Sequence, residues 1–254
     1  MIDLSQLSPM MQHYMETKKE YPDCVLFYRL GDFYEMFFDD ALTVSKELEI
    51  TLTGKDCGLS ERAPMCGVPF HALDSYLYRL VQKGYKVAIA EQMEDPRQAK
   101  GLVKREVIRV VTPGTITSSQ VLDETKNNYL MGIVYMDGIY GISTADISTG
   151  DFMVTEVDSD RELFDEINKF SPSEIICNNA FYMSGVDMDE LKNRYQVVIS
   201  ALDSRFFGEE SCRRILMEHF KVGALVGLGL EDYATGIIAA GAVMQYIYET
   251  QKRS

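Results

Sequence analysis

The sequence predicts an α/β protein built from two mixed domains. In the first half, short runs of alternating apolar residues are separated by amphipathic helical segments. In the second half, three strands joined by tight turns precede a regular alternation of helices and strands. A polar stretch near the middle of the chain separates the two patterns. A length of 254 residues fits two domains of ordinary size or one large domain.

The first domain is predicted to occupy residues 1–115. Apolar residues three or four positions apart predict its helices, and apolar–polar alternation predicts its strands. Glycines and prolines between positions 54 and 70 predict a loop. The predicted elements are, in order, a helix at 8–19, two strands within 24–37, a helix at 39–48, the loop at 54–70, a helix at 74–83 and strands at 85–91 and 106–111.

A linker is predicted at residues 116–128, because a turn sequence at 112–115 leads into a polar run at 117–120. The second domain is predicted to cover residues 129–254. Its predicted elements are strands at 129–136, 139–147 and 151–157, a helix at 160–170, a strand at 174–177, a helix at 187–194, a strand at 196–200 and helices at 210–220 and 231–252. A meander followed by strands that alternate with helices is typical of a ribonuclease-H-like α/β layer.

Residues 31–35 permit two local interpretations. A Gly31-Asp32 pair between two aromatic runs predicts a hairpin tip, which places Phe33 and Glu35 on one face of a strand. Such a pair can probe nucleic acid, since the ring can wedge between bases while the carboxylate accepts a hydrogen bond. Alternatively, Asp32 begins a helix and Glu35 completes a capping box. The local pattern leaves both interpretations open.

Composition predicts a globular protein of the cytoplasm without a membrane segment. The chain is 46% hydrophobic and 25% charged, which is usual for soluble domains. No apolar run approaches the roughly 18 residues of a membrane helix, and the first residues lack the pattern of a signal peptide. The five cysteines are far apart and without a CxxC spacing. They are predicted to be reduced thiols, neither disulfides nor zinc ligands.

The formal net charge of −14 argues against nucleic acid, because phosphates are bound mainly by lysine and arginine. The charge is, however, unevenly distributed. Residues 1–115 carry 14 basic and 17 acidic side chains, whereas residues 116–254 carry 11 basic and 22 acidic ones. A weakly basic stretch at 79–109 lies in the first domain. A solvated mixed-charge surface, or an acidic protein–protein adaptor, remains an alternative to a DNA-binding face.

The sequence offers no convincing catalytic or metal site. The segment Thr53-Gly54-Lys55 lacks both the first glycine and the hydroxyl residue of a phosphate-binding P-loop. The three histidines are isolated from one another and from the cysteines at ligand spacing. A ribonuclease-H-like nuclease would need paired strand carboxylates. Asp137 is predicted at a turn and Asp151 at the turn where its strand begins, which leaves Asp146 as the acid expected inside a strand. We therefore expect no catalytic residue and no metal ligand, with a metal-dependent nuclease as the alternative.

Several ordered motifs resemble the start of the MutS family of DNA mismatch recognition proteins. The matching segments are FYRLGDFYEMF at 27–37, TGK at 53–55, PMCGVPFHA at 64–72, GYKVAIAEQ at 84–92, EDP at 94–96, VKREVIRVVTPGT at 103–115, ADISTGDF at 145–152 and SPSE at 171–174. The resemblance extends over essentially the whole chain. It implies a mismatch-recognition domain followed by a ribonuclease-H-like connector domain.

The same resemblance implies a division of labour within a longer protein. This chain is expected to be an N-terminal fragment that needs no cofactor, whereas the full-length protein would use ATP and Mg²⁺ in domains beyond it. The expected partners are mismatched double-stranded DNA, a MutL-type protein at the connector domain, and a second copy joined through domains outside this chain. The resemblance implies that this fragment is not an enzyme and that the full-length protein would be a DNA-dependent ATPase.

Two side chains are implied to recognise the mispair. Phe33 would enter the minor groove and stack on the mispaired base, and Glu35 would form a hydrogen bond to that base. The basic residues near the motif are then candidates for contacts to phosphate, which position a protein on DNA without reading its sequence. These candidates are Lys83, Lys86, Arg97, Lys100, Lys104, Arg105 and Arg109.

Overall fold

The computed structural model describes residues 1–117 and 126–251. Within that range the chain divides into two compact units, Met1–Thr112 and Pro113–Thr250. Each unit has its own mixed β-sheet, which confirms the predicted α/β class. Most of the predicted linker, including the polar run at 118–120, lies outside the described residues.

The first unit places three long helices around a six-stranded sheet. The helix boundaries agree with the predicted ones to within one residue. The helices are α1 (Pro9–Glu20), α2 (Phe38–Leu48) and α3 (Leu73–Gln82), and the strands are β1 (Cys24–Leu30), β2 (Phe33–Phe37), β3 (Thr53–Lys55), β4 (Ala63–Pro69), β5 (Lys86–Gln92) and β6 (Arg105–Val111). The strand order is β3-β4-β2-β1-β5-β6, with β1 and β5 parallel and the other neighbours antiparallel.

The hairpin interpretation of residues 31–35 is correct, and the capping-box alternative is wrong. Leu30 pairs directly with Phe33, so Gly31 and Asp32 form a two-residue turn. Gly31 has a φ of +58°, the conformation that a type II′ hairpin turn requires at its first central position. Cross-strand pairing on both sides of β2 outweighs the local helical pattern, because it satisfies the backbone groups of a strand that is buried in the sheet.

The prediction of a loop at 54–70 is wrong for most of that segment. Residues Thr53–Lys55 and Ala63–Pro69 are strands, and a short 3-10 helix follows at Phe70–Ala72. Pro64 lies opposite Gly54, and Pro69 is the last residue of its strand. Proline is tolerated where few ladder hydrogen bonds depend on its missing N–H. Here the three-residue β3 pairs with only one end of β4. The glycines and prolines of this segment therefore do not prevent strand formation, and their frequency wrongly predicted a loop.

Asp40 connects three elements of the first unit. It lies in the first turn of α2 and is 8% exposed. One carboxylate oxygen accepts a hydrogen bond from the Leu26 backbone N–H of β1 (2.9 Å), and the other accepts one from Lys18 Nζ of α1 (3.0 Å). A helix on each face of the sheet is thereby tied to its central strand through one buried carboxylate.

The second unit has the predicted meander followed by alternating strands and helices. The strands are β7 (Leu130–Met136), β8 (Ile139–Asp146), β9 (Asp151–Val157), β10 (Glu174–Cys177) and β11 (Val198–Ala201), and the helices are α4 (Asp160–Phe170), α5 (Asn179–Tyr182), α6 (Met188–Tyr195), α7 (Glu209–Phe220) and α8 (Ala234–Thr250). The sheet order is β11-β10-β7-β8-β9. β7, β8 and β9 are antiparallel, while β10 and β11 run parallel to β7. Only the one-turn helix α5 and the 3-10 segments had no counterpart in the prediction.

Helix α8 lies unusually close to this sheet. At Gly141 of β8, an added Cβ would lie 2.3 Å from the carbonyl oxygen of Thr235, at the start of α8. At Gly132 of β7, an added Cβ would lie 2.5 Å from Val243 Cγ2. These strand glycines therefore set the distance at which the helix can pack. Among residues 1–117 and 126–251, no helix, α8 included, has the length and apolar character of a membrane span.

The cysteines are expected to be unreactive in the folded chain. All five are buried. Burial raises the pKa of Cys24 and Cys212 to about 11 and that of Cys66 and Cys177 to about 12. Since the thiolate is the reactive form, a thiol reagent at about pH 8 should leave the native chain largely unlabelled and should modify all five thiols after denaturation in urea.

The same pKa shifts predict a loss of stability at alkaline pH. In the unfolded chain a thiol loses its proton at about pH 8.5. In the folded chain the buried thiols with raised pKa values still keep their protons at that pH. As the pH rises from there towards 11–12, the native state binds more protons than the unfolded state, so the free energy of unfolding falls. Rapid labelling at about pH 8 without denaturant, or stability that is constant over this alkaline range, would contradict the prediction.

Candidate nucleic-acid interface at the first hairpin

Phe33 and Glu35 lie side by side next to the tip of the β1–β2 hairpin. Phe33 is 48% exposed, whereas Glu35 is 9% exposed. Gly67 of β4 pairs with Glu35, and a Cβ added there would lie 3.5 Å from Glu35 Cγ and 3.8 Å from Phe33 Cδ1. The two side chains thus project to one face, as the strand period predicted, and the missing side chain of Gly67 leaves space beside them.

Glu35 forms an ion pair with Lys55, a residue outside the predicted DNA-binding set. Lys55 Nζ, on β3, lies 3.2 Å from each carboxylate oxygen of Glu35. The side chain of Lys55 is 33% exposed and that of Glu35 is 12% exposed, so the pair is partly shielded from water. The ammonium group also lies 5.8 Å from the centre of the Phe37 ring.

The opposite face of the hairpin carries a polar and aromatic cluster made by Arg29, Tyr34, Phe70 and Glu91. Arg29 pairs with Tyr34 across β1 and β2, and its guanidinium lies 4.2 Å from the centre of the Phe70 ring. Glu91 of β5 accepts hydrogen bonds from Arg29 (3.1 Å) and from the Tyr34 hydroxyl (2.5 Å). Burial, followed by the bond to Glu91, raises the pKa of Tyr34 to about 12. This cluster ties the hairpin to β5 and leaves Phe33 on the other face.

A backbone contact also fixes the tip. The Phe70 N–H donates to the Asp32 carbonyl at 2.9 Å, just beyond the point where Phe33 pairs with Pro69. Phe33 is therefore an exposed ring next to a turn whose backbone is already held in place. Binding through this ring would cost little backbone conformational entropy.

Three of the basic candidates lie at the same end of the sheet as Phe33. Strands β1 and β5 are parallel, so the chain leaves β5 at the end where β1 enters the hairpin. Arg97, Lys100 and Lys104 belong to the segment that follows β5, and all three are exposed. Arg97 forms an ion pair with Asp95 (3.2 Å), and Lys104 forms one with Glu106 (3.2 Å). Such exposed pairs are weak and can exchange partners.

Arg105 and Arg109 differ from these three exposed residues because their guanidinium groups are wholly or partly buried. Arg105 is 6% exposed, and its guanidinium donates to the carbonyls of Arg29 (2.6 Å) and Val103 (3.0 Å). It also lies 5.0 Å from the centre of the Tyr28 ring. Arg109 lies within the outer strand β6, opposite Ile89. In the part of the chain that the structure describes, its Nε is buried without a hydrogen-bond partner.

Lys83 and Lys86 lie at the other end of the sheet. Lys86 begins β5 and pairs with Cys24 at the start of β1, whereas Phe33 follows the end of β1. A seven-residue strand is about 20 Å long, so these two lysines are well separated from the exposed ring. Lys83 forms an ion pair with Glu47 at 3.1 Å.

Of the three acids considered for a nuclease, two lie in strands and not one as predicted, because Asp151 begins β9 and pairs with Asp146. Asp137 forms the β7–β8 turn, whereas Asp146 and Asp151 pair at the opposite end of β8 and β9, more than about 20 Å away by strand rise. Asp146 is 2% exposed and accepts hydrogen bonds from the backbone of Asn128 (3.2 Å) and Ser148 (2.9 Å). Among the described residues, no group of three or more His, Cys, Asp or Glu side chains could hold a metal ion.

Sequence reasoning missed Lys55 and Gly67 because they belong to the segment predicted as a loop. The sequence did contain a signal for both residues, because Lys55 belongs to the TGK motif at 53–55 and Gly67 to the PMCGVPFHA motif at 64–72. Only the pairing of β2 with β4 and of β4 with β3 shows why they matter. That pairing brings them to the same face as Phe33 and Glu35.

Comparisons with known families give a consistent result for both units. The model of MutS domain I matches residues 8–120, and the model of MutS domain II matches residues 128–254. The two matches follow each other along the chain without overlap. The first covers the hairpin and its basic neighbours, and the second covers the five-stranded sheet with its helices.

Curated relatives align with nearly the whole chain. The DNA mismatch repair protein MutS of Lachnoclostridium phytofermentans is 61% identical over 251 residues, which is 99% of this chain and 27% of that protein. The protein of the same name from Acetivibrio thermocellus is 54% identical over 98% of this chain and 29% of its own length. The one from Clostridioides difficile is 48% identical over 99% of this chain and 26% of its own length. The chain thus spans little more than a quarter of these relatives.

Proposed function

Because this chain belongs to the MutS family, we propose that it forms the mismatch-recognition and connector domains of a longer DNA mismatch repair protein. The mismatch-recognition domain would occupy residues 1–115, the linker 116–128 and the connector domain 129–254. The observation that carries this proposal is the exposed Phe33 ring beside Glu35 on a supported hairpin. The names of the curated relatives agree with it.

In this proposal Phe33 is the wedge. The ring enters the minor groove and stacks on the mispaired base, which helps to bend the duplex. Separating stacked bases costs a few kcal/mol, and the cost is lowest where pairing is already weak. A wedge therefore favours mispairs over sound pairs without reading the sequence around them. The half-exposed ring is supported by backbone pairing on both sides of β2.

Glu35 is proposed to form a hydrogen bond to a ring nitrogen of the mispaired base. A carboxylate close to phosphates is unfavourable unless a partner compensates its charge. It therefore also disfavours binding to a sound duplex, in which no base is displaced to meet it. The space beside Gly67 gives a displaced base access to this carboxylate.

The phosphate contacts are proposed to come mainly from Arg97, Lys100 and Lys104. These residues share the exposed end of the sheet with Phe33 and lie on a segment outside the strands. The buried bonds of Arg105 favour a role in holding the strand ends. Lys83, Lys86 and Arg109 would need a DNA path that extends along the sheet away from the hairpin.

The connector domain is proposed to carry the recognition signal to ATPase domains beyond this chain and to offer a surface to a MutL-type protein. Its excess of 22 acidic over 11 basic side chains at 116–254 supports a protein partner over DNA. In the longer protein, ATP and Mg²⁺ would bind in those other domains, and two copies would associate through them. The proposed location is the cytoplasm.

The decisive experiment compares binding of a mismatched and a matched duplex of the same sequence by the full-length protein. Stacking of one base on an aromatic side chain is worth about 1–3 kcal/mol, so Phe33→Ala should reduce the mismatch preference by about tenfold or more, to near equality. Leu42→Ala is the matched control. Leu42 is an apolar side chain as exposed as Phe33, 48% each, but it lies on α2, which carries none of the proposed DNA contacts.

The expected result for the control is an unchanged mismatch preference. If Phe33→Ala discriminates as well as the unmodified protein, Phe33 is not the wedge. If the unmodified protein binds both duplexes equally, the proposed function fails as a whole.

A further inference from the structure

We propose that Lys55 is a positioning residue of the mismatch-sensing site, which neutralises and orients the Glu35 carboxylate as it enters DNA. The inference rests on the proposed function and adds to it a residue whose action depends on Glu35. It is carried by the contacts of Lys55 Nζ to both carboxylate oxygens, at 3.2 Å each.

The sheet topology explains how the two residues meet. Lys55 lies on β3 and Glu35 on β2, with β4 between them. Two strand spacings separate them by about 9.6 Å across the sheet, and the offset of their pairing positions adds about 13 Å along β4 before sheet twist is considered, so both side chains must extend towards each other. Lys55 pairs with Ala63, and Glu35 pairs with Gly67. These two positions of β4 are four residues apart, with Met65 between them on the same face, so Lys55 reaches Glu35 by extending along β4 as well as across it.

The electrostatic consequence follows from where Glu35 has to act. The minor groove is lined by phosphates, and an uncompensated carboxylate loses free energy on approaching it. With Lys55 paired to it, the carboxylate is repelled less strongly by the phosphates, while its need for a hydrogen bond from a displaced base still disfavours a sound duplex. The pair is shielded from water, with side chains 12% and 33% exposed, and therefore its interaction is stronger than that of a fully solvated pair.

The contacts also restrict the geometry of the carboxylate. An ammonium group that donates to both oxygens limits rotation of the Glu35 carboxylate. A carboxylate oxygen has further acceptor capacity, so it can still accept a hydrogen bond from a base. Lys55 thus fixes the orientation of the Glu35 carboxylate beside Phe33 and leaves that carboxylate able to accept a hydrogen bond from a base. A lysine that instead bound phosphate directly would act in the absence of Glu35.

The test is a double-mutant cycle in the full-length protein, measured by affinity for the mismatched duplex over a range of salt concentrations. Lys55→Met keeps most of the aliphatic stem and removes the charge. With Glu35 present, Lys55→Met should lower the affinity by about tenfold, the size expected for a charged hydrogen bond. In a Glu35→Gln background the same substitution should lower the affinity by less than about twofold, with an unchanged slope of log affinity against log salt concentration.

The control substitution is Lys46→Met, which removes an exposed lysine from α2 and should leave the affinity and the cycle unaffected. Lys55→Arg should restore at least part of the lost affinity, because it restores the positive charge. Circular dichroism melting curves exclude unfolding as the cause of a loss.

The cycle separates three results. Coupling between Lys55 and Glu35 supports the inference. An equal loss in both backgrounds, with a salt slope lower by about 0.9, assigns Lys55 to a phosphate and overturns it. No loss in either background also overturns it. If the unmodified protein shows no mismatch preference at all, it is the proposed function that fails.

Discussion

Replacing Gly141 by alanine is expected to destabilise the second unit by about 3 kcal/mol or more. The new Cβ would lie 2.3 Å from the oxygen and 2.4 Å from the carbon of the Thr235 carbonyl, and 2.7 Å from the Gly236 nitrogen. These are backbone atoms, so no rotamer change can relieve the overlap. Glu156 accepts hydrogen bonds from the N–H groups of Thr235 and Gly236, at 2.9 Å each, and thereby holds the start of α8 in place.

The measurement is urea denaturation followed by far-ultraviolet circular dichroism. Gly223→Ala is the matched control, since a Cβ at that position meets no atom within 4 Å. We expect the control to change the free energy of unfolding by less than about 0.5 kcal/mol. Equal stability of the Gly141→Ala variant and the unmodified chain would show that α8 is free to move away from the sheet.

Replacing Asp40 by alanine is expected to lower the free energy of unfolding of the first unit by about 3 kcal/mol. The substitution removes the acceptor of the buried Leu26 N–H and the partner of Lys18 Nζ, which lie 2.9 and 3.0 Å from the two carboxylate oxygens. Loss of a buried acceptor leaves the full desolvation cost of its donor. The Lys18 side chain is 26% exposed and can turn partly to water, which keeps the estimate below the upper end for buried pairs.

Asp39→Ala tests whether the effect belongs to the buried contacts. Asp39 precedes Asp40 in the first turn of the same helix, but it is exposed. Its replacement should cost only the interaction of one exposed charge with the helix dipole, about 0.5 kcal/mol. Similar losses for the two variants in thermal and urea denaturation would contradict the role assigned to Asp40.

The elements predicted well are those that local spacing defines. Helices α1, α3, α4 and α7 and the three strands of the meander follow from apolar periodicity, which depends only on residues a few positions apart. The placement of Phe33 and Glu35 on one face follows from the same rule once β2 is known to be a strand. The hairpin itself required the sheet, because the local pattern also suited a capped helix and did not decide between the two.

Other features depend on residues that are far apart in the chain. The segment at 54–70 forms strands because β2 offers it an edge to pair with, which glycine and proline content cannot reveal. The seven basic candidates form one cluster in the sequence, yet the parallel pairing of β1 and β5 sends Lys83 and Lys86 to one end of the sheet and Arg97, Lys100 and Lys104 to the other.

By itself the sequence determined the α/β class, the two-part organisation, the resemblance to the MutS family and the pair formed by Phe33 and Glu35. Only the tertiary structure decided that residues 31–35 form a hairpin, that Arg105 is buried in backbone contacts and that Lys55 holds Glu35. The physical reason is that side-chain periodicity operates within one element. Strand order and register are instead set by the pairing and burial of whole strands, and they bring together residues that no local spacing connects.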